Sequence, residues 1–472
     1  MNLLTDDRLE LLRRRLAAAG LADGAAAPVR AEIPTDAGEF GIAERRMWKI
    51  YDFDRDSVSH NIALILGFDG SYTVEKVAAA FERMVAGAAV LASVVVVDAE
   101  GVPHREPVDL TGRWVEPDRV REWGAIPAHT GTDVAEIARV FATAPFRLTE
   151  EPPVRARLSA NADGGVTLIL VVHHLAVDDT SWPPLLGTLV SGSWPAAAAP
   201  ADRPIADVER ALRHARATWA AEDVRFPLSG ALPEIDAAAS WLAPMDETPG
   251  ARLELPLDPA AVAGAEILAR EIGATPNALY IALTALGVHA LTGATDHVLL
   301  VPVDNRRPGA DPARVGYSGN IVPMRFALDP SASVRETLRA AVAAVYAAME
   351  FSSIDYGTLL TALRGAGGRF PVAEILASVR NAPLRGIPIP DGARVTCESV
   401  FHGIGNYPLT FAFELGAEDT VHLEVDHQIG VVTAERAERA ARLLIALVER
   451  TPAALDDEVR ALVAAVGEPE GA

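Results

Sequence analysis

The stretch from His173 to Asp179, HHLAVDD, holds the residue types in the chain best suited to chemistry. It closes an apolar, β-rich run, VTLILVVH at Val166 to His173, of the kind that forms a strand buried on both faces. Such a strand delivers His174 to its end, where a tight turn can present one imidazole to a cavity. Asp178, four residues on, can fold back to fix the loop. A neutral imidazole with a pKa near 6.5 can take a proton from an attacking amine or hydroxyl at pH 7, an effect typically worth about 10²–10⁴ in rate. Neighbours on a strand point to opposite faces, so only one of His173 and His174 can enter a site. Spacing alone leaves a second reading open, in which one histidine is core and the other surface. A metal is not expected, because zinc wants three or four ligands and no second cluster of suitable residues appears.

Other chemistries lack their signatures. There is no G-x-S-x-G elbow, no P-loop, and no G-x-G-x-x-G after a strand, which removes the common hydrolase, kinase and dinucleotide readings. The one cysteine, Cys397, has no sequence-adjacent histidine and reads as an inert buried thiol. Direct transfer without a covalent enzyme intermediate is the expectation.

The elements that must position this loop are spread over 472 residues, too many for one ordinary core, so two domains are expected. Half of the residues are hydrophobic but only 6% aromatic, with much Ala, which predicts a helix-rich α/β fold. A short helix is expected from Thr5 to Gly20, followed by a loop over 21–38. Strands are expected at Asn61–Gly67, Val94–Val97, Val166–His173, His297–Val303 and Val421–Val425. Helices are expected from about Val74 to Val85 and from Thr180 to Val190, with Pro183 and Pro184 in the first turn. Further helices follow Thr275-Pro276, the capping-box pair Ser333 and Glu336, and Thr433. The Ala-rich segment Ala196 to Pro204 reads as the linker, dividing the chain into 1–195 and 205–472.

A formal net charge of −22 argues against nucleic acid as a partner and against an anionic membrane surface. Arg13, Arg14 and Arg15 form the only tight basic cluster and read as a solvated helix face. A single cysteine excludes an internal disulfide and fits a reducing cytoplasm. No signal-peptide pattern and no uncharged apolar run of 18 residues appears, so a soluble intracellular protein is expected.

The same residues resemble the condensation-domain superfamily of nonribosomal peptide synthesis, whose hallmark is an HHxxxDG motif. It stands here as His173, His174, Leu175, Ala176, Val177, Asp178 and Asp179, with Asp in place of the last Gly. AERRMW (Ala43–Trp48) followed by Ser59, His60, Asn61 and Ile62 looks like the family's opening motif. FRLTEEPPVRARL (Phe146–Leu158) looks like the stretch before the histidines. VPVDNR (Val301–Arg306) and VGYSGNIVPMR (Val315–Arg325) look like its later core motifs, and the similarity spans about residues 40 to 450.

That resemblance implies two chloramphenicol-acetyltransferase-like lobes in a V-shaped pseudo-dimer with a central tunnel. The implied activity is that of a free-standing condensation enzyme of antibiotic or other secondary metabolism, joining an acyl donor to an amine or hydroxyl acceptor. The donor would ride on the phosphopantetheine arm of an acyl or peptidyl carrier protein, the acceptor would be a small molecule or carrier-bound, and no cofactor would be bound by this chain, a cytoplasmic monomer. His174 would be the catalytic or positioning residue, with His173 and Asp178 completing the motif in mainly structural roles. Arg306 would be the salt-bridge partner of Asp178, Asp179 would line the tunnel, and Asn320 would line or shape it. No adenylation or carrier segment appears, so such a protein would act in trans or be part of a larger assembly line.

Departures from the pattern keep two alternatives. Asp179 adds a Cβ and a charge where the family has Gly, and the family's Arg-His-Glu and His-Gln-Asp stretches read Gly87, Ala88, Ala89 and Phe351, Ser352, Ser353. A DD ending is reminiscent of catalytically silent members that dock partner enzymes, although both histidines are kept. HHLAVDDTSW and NYPLTF (Asn406–Phe411) are reminiscent of epimerisation domains, whose Glu-Gly-His stretch is missing.

Overall fold

The computed structural model describes residues 38–467 apart from 117–118, 131, 197–247, 307–312, 351, 353, 355, 357–373 and 418. The expected first helix, the loop after it, nearly all of the linker, and Phe351 and Ser353 lie outside the described residues.

The first part of the chain runs α1 (Ile42–Phe53), β1 (Asn61–Phe68), α2 (Val74–Gly87), β2 (Ser93–Val97), β3 (Pro103–Pro107), β4 (Arg113–Val115), β5 (Val120–Trp123), α3 (Val134–Ala142), β6 (Val154–Ala160), β7 (Val166–His173) and α4 (Trp182–Ser191). The second part runs β8 (Gly250–Pro256), α5 (Pro259–Ile272), α6 (Pro276–Thr292), β9 (Asp296–Asp304), β10 (Gly319–Ala327), α7 (Val334–Met349), β11 (Ile375–Asn381), β12 (Val395–Val400), β13 (Leu409–Leu415), β14 (Val421–Gln428), α8 (Ala434–Arg450) and α9 (Val459–Gly467). Two open six-stranded sheets result, ordered β12-β1-β7-β6-β5-β4 and β10-β9-β11-β13-β14-β8, while β2 and β3 form a separate ribbon. Among the described residues no helix is long and apolar enough to cross a membrane.

Every residue of β7 is buried, because the strand lies mid-sheet with helices on both faces. Leu168, Leu170 and Val172 pack with Phe81 and Met84 of α2 and Leu185 and Leu186 of α4. Ile169 and Val171 pack on the other side with Met47 and Tyr51 of α1 and Phe141 of α3. An eight-residue strand clamped in this way gives the loop after it a rigid base. The helix expected from Thr180 begins at Trp182 instead, because Asp179–Ser181 turn as a 3₁₀ segment that leaves Pro183 and Pro184 in the first α turn.

The second sheet is two-faced. Its apolar face, with Phe411, Phe413, Leu423 and Val425, packs on α6 and α8. The alternate residues Arg252, Arg380, Glu414, Glu424 and Asp426 lie on the opposite face and pair with one another. Capping follows the sequence: Thr275 accepts from the Ala278 N–H and Thr433 from that of Arg436. Ser333 and Glu336 cap each other at the start of α7. Ser333→Ala should cost about 0.5–2 kcal/mol, read as a lower midpoint in chemical denaturation with unchanged m-value.

The division into 1–195 and 205–472 is crossed by β12. This strand of the second part pairs antiparallel with β1, from Ala63 opposite Val400 to Phe68 opposite Val395, and so forms the edge of the first sheet. Its residues VTCESV mix polar and apolar types with no clean alternation, which is why its membership of the distant sheet was not legible.

Candidate active site

His174 stands one residue beyond β7, and its backbone N–H donates to the His60 carbonyl at 2.8 Å. Its Nδ1 lies 2.7 Å from the Val177 carbonyl oxygen. A carbonyl only accepts, so Nδ1 carries a proton and Nε2 is the atom left to act as a base. Nε2 has no hydrogen-bond partner among the described residues. The ring meets Tyr317, from the loop before β10, edge-on with centroids 5.0 Å apart, so the imidazole lies where the two parts of the chain face each other.

His173 points the other way, buried among Tyr51 and Phe146. Its Nδ1 accepts from the Leu175 N–H at 3.1 Å. Burial pushes its pKa well below the usual histidine range, aided by His60, His174 and Arg155. A neutral, enclosed ring of this kind packs the turn.

Asp178 does not touch His174; the loop carbonyl of Val177 orients the ring instead. Its carboxylate lies 2.7 Å from Arg306 Nη2 and accepts from the Ser318 N–H at 3.0 Å and Thr180 Oγ1 at 2.8 Å. Burial alone would raise the carboxyl, but the Arg306 charge and these hydrogen bonds outweigh it and hold it below the usual carboxylate range. Asp178 thereby fixes the histidine loop to the segment between β9 and β10.

Asn320, expected to line or shape the tunnel, is held within the protein. It is 2% exposed, lies within β10, and its amide is engaged by protein. Oδ1 accepts from Arg46 at 2.8 Å and from the Tyr356 N–H at 3.1 Å, while Nδ2 donates to the Ser352 and Ile354 carbonyls. It shapes the site by tying α1 to the second part of the chain and presents nothing to a substrate. Arg46 completes the tie with a 2.7 Å bond to the Gly319 carbonyl; it sits in the AERRMW segment, but nothing in that pattern announces a partner 273 positions away.

No protein-family model matches the chain. Over 364 residues it is 27% identical to the N-(5-amino-5-carboxypentanoyl)-L-cysteinyl-D-valine synthase of Amycolatopsis lactamdurans, a match covering 72% of this chain and 9% of that protein. The chain spans about a tenth of the length of the first curated relatives it matches. Among solved structures, the first condensation domain of the calcium-dependent antibiotic synthetase superposes with a TM-score of 0.70 at 18% identity, covering 91% of this chain and 99% of that one. The chain has the condensation-domain fold. The X-domain from teicoplanin biosynthesis shares this fold, with a TM-score of 0.67 at 18% identity over 92% of this chain and 99% of that one.

Around His174 the chain combines accessible surface with strong desolvation. His60, Asp179 and Arg380 all keep accessible surface, yet burial is the largest influence on the protonation of each. Burial pushes the Asp179 carboxyl up, against the lowering pull of Arg380 and His174. Arg380 was not singled out in the sequence, and His60 entered only as part of the opening motif. Polar alternation along β11, where Ser378 and Arg380 oppose buried Ala377, was the available signal for the former.

The histidines of this condensation-domain fold make a pH prediction. Burial, aided by His174 and His402, pushes His60 down to about 3, and burial takes His297 and His402 down to about 4 each. Unfolded histidines take up protons near pH 6.5 while these remain neutral, so stability is full above about pH 6.5 and falls as the pH drops below it. The thermal midpoint should be lower at pH 5.0 than at pH 7.5, and His173→Phe should flatten that slope. An unchanged midpoint between the two pH values would contradict the assignment of neutral buried rings.

Proposed function

We propose that the chain is an acyltransferase of nonribosomal peptide or related secondary-metabolite biosynthesis, joining a carrier-bound acyl donor to an acceptor amine at His174. The observation that carries this reading is the Nδ1–H bond from His174 to the Val177 carbonyl, which leaves Nε2 as an unengaged base at the meeting of the two parts of the chain. The donor is taken as a thioester on the phosphopantetheine arm of a carrier protein. The acceptor nitrogen attacks the thioester carbon, and Nε2 takes its proton as the C–N bond forms. Collapse of the tetrahedral adduct breaks the C–S bond, and the proton passes from His174 to the departing sulfur. His173 and the Asp178–Arg306 pair hold the loop that carries the base.

A catalytically silent docking role is the second reading, favoured by the Asp178-Asp179 ending and the likeness to the X-domain, which has been solved in complex with OxyB. Intact-protein mass spectrometry of an acyl-loaded carrier protein mixed with this chain and a panel of amine acceptors separates the two. Acyl loss from the carrier with matching product supports transfer. Retained carrier or partner-enzyme binding with no transfer to any acceptor supports docking.

A further inference from the structure

Tyr317 stands between two anchored residues. The Ser318 N–H and Oγ both donate to Asp178 Oδ2, at 3.0 and 2.8 Å. On the other side the Gly316 carbonyl accepts from Arg306 Nη2 at 3.1 Å and from Ser181 Oγ at 3.2 Å. The backbone flanking Tyr317 is thus fastened to the turn that follows His174 and to Arg306, the partner of Asp178. From this base the Tyr317 ring meets the His174 imidazole at 75°, with centroids 5.0 Å apart. A further restraint comes from Gly319. A Cβ at that position would lie 2.8 Å from Tyr317 Cε2 and 3.1 Å from Cζ and Oη, so the ring occupies the space that a side chain would fill. Arg46 closes over the same place, with Nη2 at 2.7 Å from the Gly319 carbonyl and 3.4 Å from Tyr317 Oη.

The Nδ1–H bond to Val177 fixes one atom of the imidazole and leaves the ring able to swing about it. Such a swing carries Nε2 away from a reacting nitrogen, and a misplacement of about 1 Å can cost about a hundredfold in rate. A ring held against the imidazole blocks that movement. We infer that Tyr317 is a positioning residue for His174, and that Asp178, Arg306 and Gly319 act on the base through it. This rests on the reading of His174 as the base. It explains how Asp178 can serve a histidine that it does not touch, and it gives the missing side chain at Gly319 a purpose.

The test takes two readings on the full chain: the kinetics of acyl loss from a loaded carrier protein, and the NMR signals of the His174 imidazole in isotope-labelled protein, assigned through His174→Ala. Tyr317→Leu is expected to lower kcat about ten- to hundredfold, to change KM for the carrier less than about threefold, and to move the His174 signals. Tyr317→Phe keeps the ring and is expected to restore both readings. Gly319→Ala is expected to resemble Tyr317→Leu, yet to add less than about twofold in the Tyr317→Leu background, where no ring is left to displace. A Tyr317→Leu rate within about twofold of the wild type, Tyr317→Phe as slow as Tyr317→Leu, or a Gly319→Ala effect that persists in full in the double variant would overturn the inference. A wild type that moves no acyl group refutes the acyltransferase reading instead; the His174 signals then decide, and signals identical in the wild type and Tyr317→Leu would overturn the positioning role.

Discussion

His174→Ala is expected to lower the rate of acyl transfer by about 10²–10⁴ while leaving the thermal midpoint near that of the wild type. The ring contributes little to the core: it is half-buried, its one side-chain hydrogen bond is to a carbonyl of its own loop, and its main neighbour is the edge of Tyr317. The measurement is the single-turnover rate of acyl loss from a loaded carrier protein, with product identified by mass. A loss of less than about fivefold would be too small for a general base and would reduce His174 to a packing residue. His173→Ala provides the contrast, because its enclosed ring holds the turn and its removal should act on stability first.

Arg306→Met is the variant expected to damage stability most, by about 3–5 kcal/mol, because it leaves the Asp178 carboxylate buried without its cation. The effect has a pH signature. The folded carboxyl of Asp178 titrates below its unfolded value, so its stabilising contribution is present above about pH 4 and is lost as the pH falls through the folded pKa. Removing Arg306 should erase that acid-side loss along with the stability itself. Denaturant melts at pH 7.5 and pH 3.5 for the wild type, Arg306→Met, Asp178→Asn and the double variant read both effects. A double variant as unstable as the sum of the single ones would mean that the two side chains do not act as a pair.

What could be read from the sequence follows the strength of the local signal. β7 was legible to the residue, since an eight-residue β-branched run buried on both faces has no competing interpretation. The helices after Thr275, Ser333 and Thr433 were legible because their caps are local. The joining of Asp178 to Arg306 came through the resemblance, as no period or spacing links residues 128 positions apart. The partners of Asn320 were not legible because a polar residue after Gly319 reads as a turn or a lining group, whereas in β10 its amide answers Arg46 and three backbone groups at Ser352, Ile354 and Tyr356. The acidic face of the second sheet was missed because its strands carry charges at alternate positions, a pattern usually assigned to solvent. Here the charges pair with one another across β8, β11, β13 and β14 instead.

The pairing of β12 with β1 also governs the order in which the protein can be completed during synthesis. The tie between Asp69 and Arg394 closes a loop of 325 residues, and the edge of the first sheet stays open until residue 400 has left the ribosome. Until then β1 offers a bare row of amides and carbonyls to any other strand that meets it. Closing so long a loop makes the last step of folding slow and topologically demanding. Splitting the gene in the 197–247 segment should therefore yield an aggregation-prone first piece, which becomes soluble when the second piece is co-expressed and supplies the missing strand.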